Sequence, residues 1–207
     1  MHSNNPKPQS DKNPRVIDYP IPLLGIIAFS GTGKTTLLTK LLPILKAEGL
    51  RVAVVKHAQH QFEIDHPHKD SYELRKSGAS QMLVASRGRM ALIAETDDRA
   101  EPDLQSTLPH LDHRALDLVL VEGFKHAPIQ KIELHRPKLG RPLLCLTDPN
   151  IIAIATDEAI CSLPEGLPVL DLNQPEAIAN FIRQQLYRFG ERPIHDPASH
   201  PSSNQLR

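Results

Sequence analysis

The stretch AFSGTGKTT, from Ala28 to Thr36, follows a run of apolar residues that begins at Leu23. It matches the pattern G-x-x-x-x-G-K-[ST] over residues 28–35, with Ala28 in place of the first glycine. A buried strand, a glycine-rich turn and a helix in this order point several backbone N–H groups and a helix N-terminus at one position, where an anion binds. The stretch therefore predicts a nucleotide phosphate site and the kind of fold that carries it.

The residue types in this loop suit a nucleotide and its metal ion. Glycine lets the backbone approach phosphate oxygens without a Cβ clash. The lysine can reach the β- and γ-phosphates, the hydroxyl of Thr35 can bind Mg²⁺, and Thr36 lies close enough to meet the α-phosphate. The predicted nucleotide-binding residues of the loop are Ser30, Gly31, Thr32, Gly33, Lys34, Thr35 and Thr36, and Lys34 is also a catalytic candidate.

A magnesium ion bound to phosphate needs a carboxylate on a neighbouring strand. The sequence LVLVEG at 118–123 puts Glu122 at the C-terminal end of an apolar strand, where open parallel sheets bind ligands. Asp117 is the competing acid, but it lies at the start of that strand. We therefore expect Thr35 and Glu122 to hold Mg²⁺, with Glu122 also taking part in catalysis, and the amide of Gly123 to be a candidate sensor of the γ-phosphate.

The wider pattern predicts an α/β protein. Strands are predicted at 23–28, 51–56, 116–122, 130–136, 151–156 and 168–172, and helices at 34–48, from Asp70 and at 174–189. Continuously apolar strands that alternate with helices indicate a mostly parallel sheet covered on both faces, here the P-loop NTPase fold. The segments 79–86 and 89–95 flank Arg87-Gly88 and predict an antiparallel β-hairpin extension. We expect a nucleotide-binding domain at 21–190 between disordered tails at 1–20 and 191–207, the second of them proline-rich.

The composition narrows the class of protein. Lys+Arg and Asp+Glu both number 24 among 207 residues, and this balance argues against a nucleic-acid partner. No apolar run reaches the ~20 residues that a membrane span needs, and residues 1–22 lack the apolar core of a signal peptide. We therefore expect a cytoplasmic protein without a membrane partner, in which Cys145 and Cys161 are reduced and buried.

The residues that choose the base are less evident, because the guanine signature N-K-x-D is absent. The strand IIAIAT is followed by Asp157, whose carboxylate could accept hydrogen bonds from N1 and N2 of guanine, which adenine cannot match. Asp157 is therefore the candidate guanine-binding residue, and a solvated acid at the end of a strand is the alternative.

The segment 57–70 is rich in histidine and aspartate. His57, His60, His66 and His68 match no common zinc spacing, and no cysteine is near. A role beside the nucleotide is favoured over a zinc site. Two pairs of residues are candidates, each against the alternative of a solvated loop: Asp65 or Asp70 could order the water around Mg²⁺, and Lys56 and His57 could meet phosphate or a second ligand.

Four motifs together resemble the MobB family: SGTGKTTLL at 30–38, VKHAQH at 55–60, KDSYELRKSGA at 69–79 and LDLVLVEGFKH at 116–126. The resemblance implies a homodimer with a parallel-sheet P-loop fold that binds GTP and Mg²⁺ and hydrolyses GTP slowly. It also implies an adaptor role in molybdopterin-guanine dinucleotide biosynthesis beside MobA, the guanylyltransferase that joins GMP to Mo-molybdopterin.

Two other functions stay open at this point. A small-molecule kinase usually has an arginine-rich lid, but the segment 96–115 has only Arg99 and Arg114 among many acids. A non-hydrolysing module that binds the pterin or a partner protein would use the 57–70 loop and the segment 124–128, where Lys125 and His126 could pair with a pterin phosphate. Arg75, Arg87 and Arg89 are the candidate arginine fingers of a GTPase, each with surface charge as the alternative.

Overall fold

The computed structural model describes residues 17–58, 62–96 and 101–189. The predicted tails lie outside these residues except for 17–20, and so does His60. The chain forms two compact units, one built from residues up to 56 and from 104 onward, and the other from 57–103.

The first unit contains a six-stranded sheet. Its strands are β1 (Leu23–Ile27), β2 (Val52–Lys56), β5 (Leu118–Glu122), β6 (Lys131–His135), β7 (Ile151–Thr156) and β8 (Val169–Asp171). Its helices are α1 (Lys34–Ala47), α3 (Leu104–Thr107) and α4 (Pro175–Phe189). The predicted strands and long helices are confirmed, with ends that differ by one or two residues.

The strands lie in the order β2-β5-β1-β6-β7-β8, and each pair of neighbours is parallel. The α/β class with a mostly parallel sheet is therefore confirmed. β1 lies between β5 and β6, and Ile26 is paired in register with Glu122. Because the strands are parallel, the segments that follow β1, β5, β6 and β7 all leave the sheet at one edge, which is where the predicted site residues lie.

Both faces of the central strands are covered. Every residue of β1 and β5 is buried, as expected of strands packed on both faces. On one face, apolar side chains of α1 and α4, among them Leu41, Leu45 and Ile178, pack on those of the sheet. On the other face Leu104 and Leu108 cover Val119 and Val121. This apolar core holds α1 against the sheet and so sets where the loop after β1 joins the helix.

The second unit holds α2 (Asp70–Lys76) and the hairpin of β3 (Gln81–Ser86) and β4 (Arg89–Ala94). The predicted hairpin is confirmed, and its strands form an antiparallel sheet of their own. Arg75 of α2 is buried and forms ion pairs with Glu63 and Glu95, both at 2.6 Å.

The two cysteines differ in environment. Cys145 is buried, as expected, whereas Cys161 is exposed, so the expectation of two buried thiols was wrong for Cys161. Cys161 lies in an irregular segment after β7, outside any helix or strand. None of the helices in the described part of the chain is both long enough and apolar enough to cross a bilayer.

Candidate functional site

The loop between β1 and α1 has the backbone shape that its glycines allow. Gly31 and Gly33 have φ angles of +81° and +106°, in the left-handed region that strains any other residue. Thr32 lies between them and is buried. Its hydroxyl donates to the carbonyl oxygen of Phe29 at 2.9 Å, which closes the loop on itself. The backbone is thus curled where the sequence predicts an anion site.

Lys34, the first residue of α1, reaches back over the loop. Its Nζ donates to the carbonyl oxygens of Ala28 at 3.2 Å and Phe29 at 3.4 Å. Partial burial lowers the pKa of Lys34, Glu122 raises it, and Lys125 and Lys56 lower it further, so that the net shift is downward. These influences show that three cations and one carboxylate converge on the loop, an arrangement that suits a polyanion.

Glu122 ends β5 beside the loop, as the sequence predicts. Its side chain is largely buried, and Lys56 at the end of β2 places its Nζ 3.4 Å from Oε2. Asp117 lies before β5, at the other end of the sheet, and pairs with Arg51 at 2.8 Å. Of the two acids, only Glu122 therefore faces the loop edge of the sheet, and its oxygens suit Mg²⁺, which prefers oxygen ligands.

The other loop residues are accessible to a ligand. The residues Ser30, Gly31, Thr35 and Thr36 are exposed, while Gly33 and Lys34 are partly exposed. Thr35 and Thr36 occupy the first turn of α1. A hydroxyl at this position can bind a metal ion that bridges the phosphates, so Thr35 and Glu122 together fit the predicted magnesium shell.

Phe29 in the loop carries two cations on its ring. The Nζ of Lys125 lies 4.5 Å from the ring centroid, and the guanidinium of Arg141 lies 5.8 Å from it. These contacts are within the range of cation–π attraction. Lys125 follows a turn in which Gly123 and Phe124 have positive φ angles of 89° and 47°. The turn directs the segment after β5 back toward the loop.

Arg136, which directly follows β6, was not among the residues predicted from the sequence. Its Nε donates to the carbonyl oxygen of Thr32 at 2.9 Å, and its Nη1 bonds to Oδ2 of Asp157. Asp157 follows β7, which is the second strand from β1 in the order of the sheet. The guanidinium therefore joins the phosphate loop to the end of β7. An arginine placed immediately after a buried strand, at the ligand edge of the sheet, was the available signal.

A cavity of about 290 Å³ lies between the end of β1, the segment after β5 and the segment before β7. Its lining includes Ile27, Lys125, His126, Lys131, Leu144 and Asp148. The Nζ of Lys131 bonds to Oδ2 of Asp148 at 2.6 Å. Burial would raise the pKa of Asp148, but the bonds from Lys131 and Asn150 outweigh it and hold that pKa below its usual value. The cavity thus combines an ionised ion pair with the cation of Lys125 and the imidazole of His126.

The residues of the second unit have partners of their own. Asp65 accepts from the hydroxyl of Ser71 at 3.0 Å, and His57 lies 3.2 Å from Glu101. Arg87 and Arg89 lie at the turn of the hairpin. Over residues 17–58, 62–96 and 101–189, no three His, Cys, Asp or Glu side chains are grouped so that they could hold a metal ion.

Comparisons with known proteins agree on one family. The family model described as MobB, molybdopterin guanine dinucleotide synthesis protein B, matches residues 23–157. A molybdopterin-guanine dinucleotide biosynthesis adapter protein from Escherichia coli (strain K12) is 50% identical over 165 residues, which cover 78% of this chain and 91% of the relative. An adapter protein of the same description from Haemophilus influenzae is 42% identical and covers 82% of this chain and 92% of the relative.

The fold has relatives among solved structures. A crystal structure of molybdopterin-guanine biosynthesis protein B aligns with a TM-score of 0.63 and 31% identity, over 80% of this chain and 99% of that one. A structure of MobB from Bacillus subtilis aligns with a TM-score of 0.62 and 26% identity, over 80% of this chain and 98% of that one.

Proposed function

The chain belongs to the MobB family, and from this premise we propose that it binds GTP and Mg²⁺ as an adaptor in molybdopterin-guanine dinucleotide biosynthesis. The observation that carries the proposal is the loop of residues 28–36, with Lys34 bonded across it and Glu122 beside it. A backbone curled in this way, with a lysine and an acid at one edge of a parallel sheet, suits a nucleoside triphosphate and its metal ion.

In this proposal each residue of the site has a stated role. The residues from Ser30 to Thr36 surround the phosphates, and Lys34 neutralises the β- and γ-phosphates. Thr35 and Glu122 hold Mg²⁺, which supplies charge neutralisation when it is bound. Gly123, whose backbone turns directly after Glu122, offers its N–H toward the terminal phosphate.

Asp157 is the proposed guanine-binding residue. Its Oδ2 bonds to Arg136, whereas its Oδ1 is buried and has no hydrogen-bond partner within the described part of the chain. A buried acceptor without a donor costs free energy, which a ligand that donates to it can recover. Guanine donates from N1 and N2, so this acceptor supports GTP over ATP.

We expect hydrolysis to be slow. Fast GTPases use an arginine that is free to meet the transition state. Arg75 is buried between Glu63 and Glu95, and Arg136 already bonds to Thr32 and Asp157. Because both of these arginines are held by other groups, the protein is better suited to holding GTP than to consuming it, in keeping with an adaptor.

The cavity lined by Lys125 and His126 is the proposed site for the phosphate of molybdopterin or Mo-molybdopterin. Lys125 lines the cavity and also contacts Phe29 of the loop, so a second anionic ligand would sit next to GTP. The expected protein partner is the guanylyltransferase MobA, and the expected compartment is the cytoplasm. The proposed homodimer would pair through the hairpin, whose Leu83, Met90 and Leu92 are exposed.

The test of the proposal is a titration of the purified protein with GTP and with ATP, each with and without Mg²⁺, together with a measurement of phosphate release. We expect GTP to bind more tightly than ATP, Mg²⁺ to strengthen its binding, and phosphate to be released slowly. Preference for ATP, or no binding of either nucleotide, would contradict the proposal. Transfer of phosphate to a metabolite faster than to water would instead identify a kinase.

A further inference from the structure

The guanidinium of Arg136 connects three segments that are far apart in the chain. It bonds to the carbonyl oxygen of Thr32 in the loop at 2.9 Å and to the carboxylate of Asp157 after β7. One of its nitrogens would lie 3.8 Å from a Cβ placed on Gly33. Arg136 therefore lies against the peptide between Thr32 and Gly33, in the middle of the phosphate loop.

The bond to the Thr32 carbonyl sets the direction of the next amide. None of the described peptide bonds is cis, and across a trans peptide the C=O and the following N–H point in opposite directions. Because Arg136 holds the carbonyl of Thr32 toward itself, the N–H of Gly33 points away from Arg136. Amides turned in this way make a loop of this kind an anion site.

The loop would hold this shape less well without the arginine. Gly33 has a φ of +106° and no side chain, and its carbonyl oxygen accepts from the N–H of Leu37 at 2.9 Å, so the helix fixes the peptide after Gly33 but not the one before it. The hydroxyl of Thr32 secures only the Phe29 side of the loop, at 2.9 Å. Arg136 secures the other side, and the carboxylate of Asp157 keeps the planar guanidinium in place.

We propose that Arg136 is a positioning residue that turns the Gly33 amide toward a bound phosphate, with Asp157 as its anchor. The inference rests on the proposed nucleotide site and adds to it a residue outside the loop motif. Asp157 would then serve the phosphates through Arg136, in addition to any contact with the base.

The chain contains a matched control for this proposal. Lys138 pairs with Glu158 at 2.7 Å and so joins the same two segments as Arg136 and Asp157, two residues and one residue further on. Lys138 is largely exposed, and its ion-pair partner is Glu158. Lys138→Gln therefore removes a cation and a link between these segments while leaving the loop carbonyl bonded.

The experiment compares Arg136→Lys, Asp157→Asn and Lys138→Gln with the wild-type protein. Pyrophosphate is the probe, because it reports on the loop without any base. A lysine keeps the charge of Arg136 but cannot bond to Thr32 and Asp157 with one planar fork. We expect Arg136→Lys and Asp157→Asn to raise the Kd for pyrophosphate about tenfold or more, and Lys138→Gln to change it less than about twofold.

The ¹H–¹⁵N signal of the Gly33 amide in ligand-free protein provides a second measurement, which does not depend on binding. We expect it to move in Arg136→Lys and Asp157→Asn and to stay in place in Lys138→Gln. An unchanged Kd together with an unmoved Gly33 signal in Arg136→Lys would overturn the inference, and so would an equal loss of affinity in Lys138→Gln. A wild-type protein that binds pyrophosphate but not GTP would refute the proposed function alone. If pyrophosphate does not bind to the wild-type protein, the Gly33 signal alone tests the inference. A signal that moves in Arg136→Lys and stays in place in Lys138→Gln supports it, and a signal that does not move in Arg136→Lys overturns it.

Discussion

The Nζ of Lys34 lies 3.2 Å from the carbonyl oxygen of Ala28, so the side chain reaches back across the loop to its first residue. In the proposed nucleotide site, this ammonium would lie beside the phosphates. Lys34→Ala removes that charge and should weaken GTP binding by about a hundredfold or more, measured by calorimetric titration. Lys40→Ala, an exposed lysine on the same helix, is the control; wild-type affinity in Lys34→Ala would disprove the assignment of the loop.

Glu122→Gln tests the metal shell. The amide keeps the size of the side chain but loses the charge that attracts Mg²⁺. We expect the gain in GTP affinity on adding Mg²⁺ to fall about tenfold or more, with little change in the affinity measured in EDTA. Asp117→Asn is the matched control, because that acid directly precedes β5 and so lies at the end of the strand opposite to Glu122. An undiminished effect of Mg²⁺ in Glu122→Gln would assign the metal to other residues.

Asp157→Asn tests base recognition. An amide can donate to the oxygen that xanthine carries at C2, where guanine has an amino group. We therefore expect the ratio of GTP affinity to XTP affinity to fall about tenfold or more in the variant. The ratio is the informative quantity, because any effect on the loop through Arg136 weakens both nucleotides alike. A ratio equal to that of the wild type would remove Asp157 from base recognition.

The ion pair of Lys131 and Asp148 predicts an asymmetry in stability. Lys131 is 1% exposed and Asp148 is 22% exposed. Gly25 makes room for the lysine, since a Cβ there would lie 2.8 Å from its Cγ. Asp148→Asn leaves a buried ammonium without its carboxylate and should lower the free energy of unfolding by about 3–5 kcal/mol. Lys131→Met leaves an acid that water can reach and should cost less, as urea denaturation would show.

The same pair predicts how stability varies with pH. The folded protein holds the pKa of Asp148 below its unfolded value, so the contribution of the ionised pair is fully present above about pH 4–5. It is lost as the pH falls through the folded pKa. The difference in unfolding free energy between wild type and Asp148→Asn should therefore shrink in acid. A difference that stays constant down to pH 2 would contradict the assignment.

The thiols should differ in reactivity. Burial, followed by the negative charge of Glu133, raises the pKa of Cys145 to about 11, so Cys145 stays protonated below that pH. Cys161 is exposed. Because the thiolate is the reactive form, one thiol per chain should react with a disulfide reagent at pH 8 in the folded protein. Cys161→Ser should abolish this reaction and Cys145→Ser should leave it unchanged; the reverse result would contradict the burial of Cys145.

The sequence by itself was sufficient to predict the glycine-rich loop after β1, the succession of apolar strands and helices along the chain, and the position of Glu122 at the end of a strand. Each depends on neighbours in the chain: glycines set the turn after Leu23–Ile27, and the pattern of apolar residues sets which strands are buried. Asp117 could be set aside in the same way, because the direction of the strand decides which of its ends faces the ligand edge.

Tertiary structure alone decided the partners of these residues. Arg136, Thr32 and Asp157 are separated by 104 and 21 residues, and they meet only because β6 and β7 end beside the loop. Lys131 can be buried only because Gly25 on the adjacent strand has no side chain and Asp148 lies within 2.6 Å. Side-chain contacts across a sheet depend on strand order and register, which local patterns constrain weakly. The loop could therefore be predicted from the sequence, whereas the contacts of Arg136 that hold it could not.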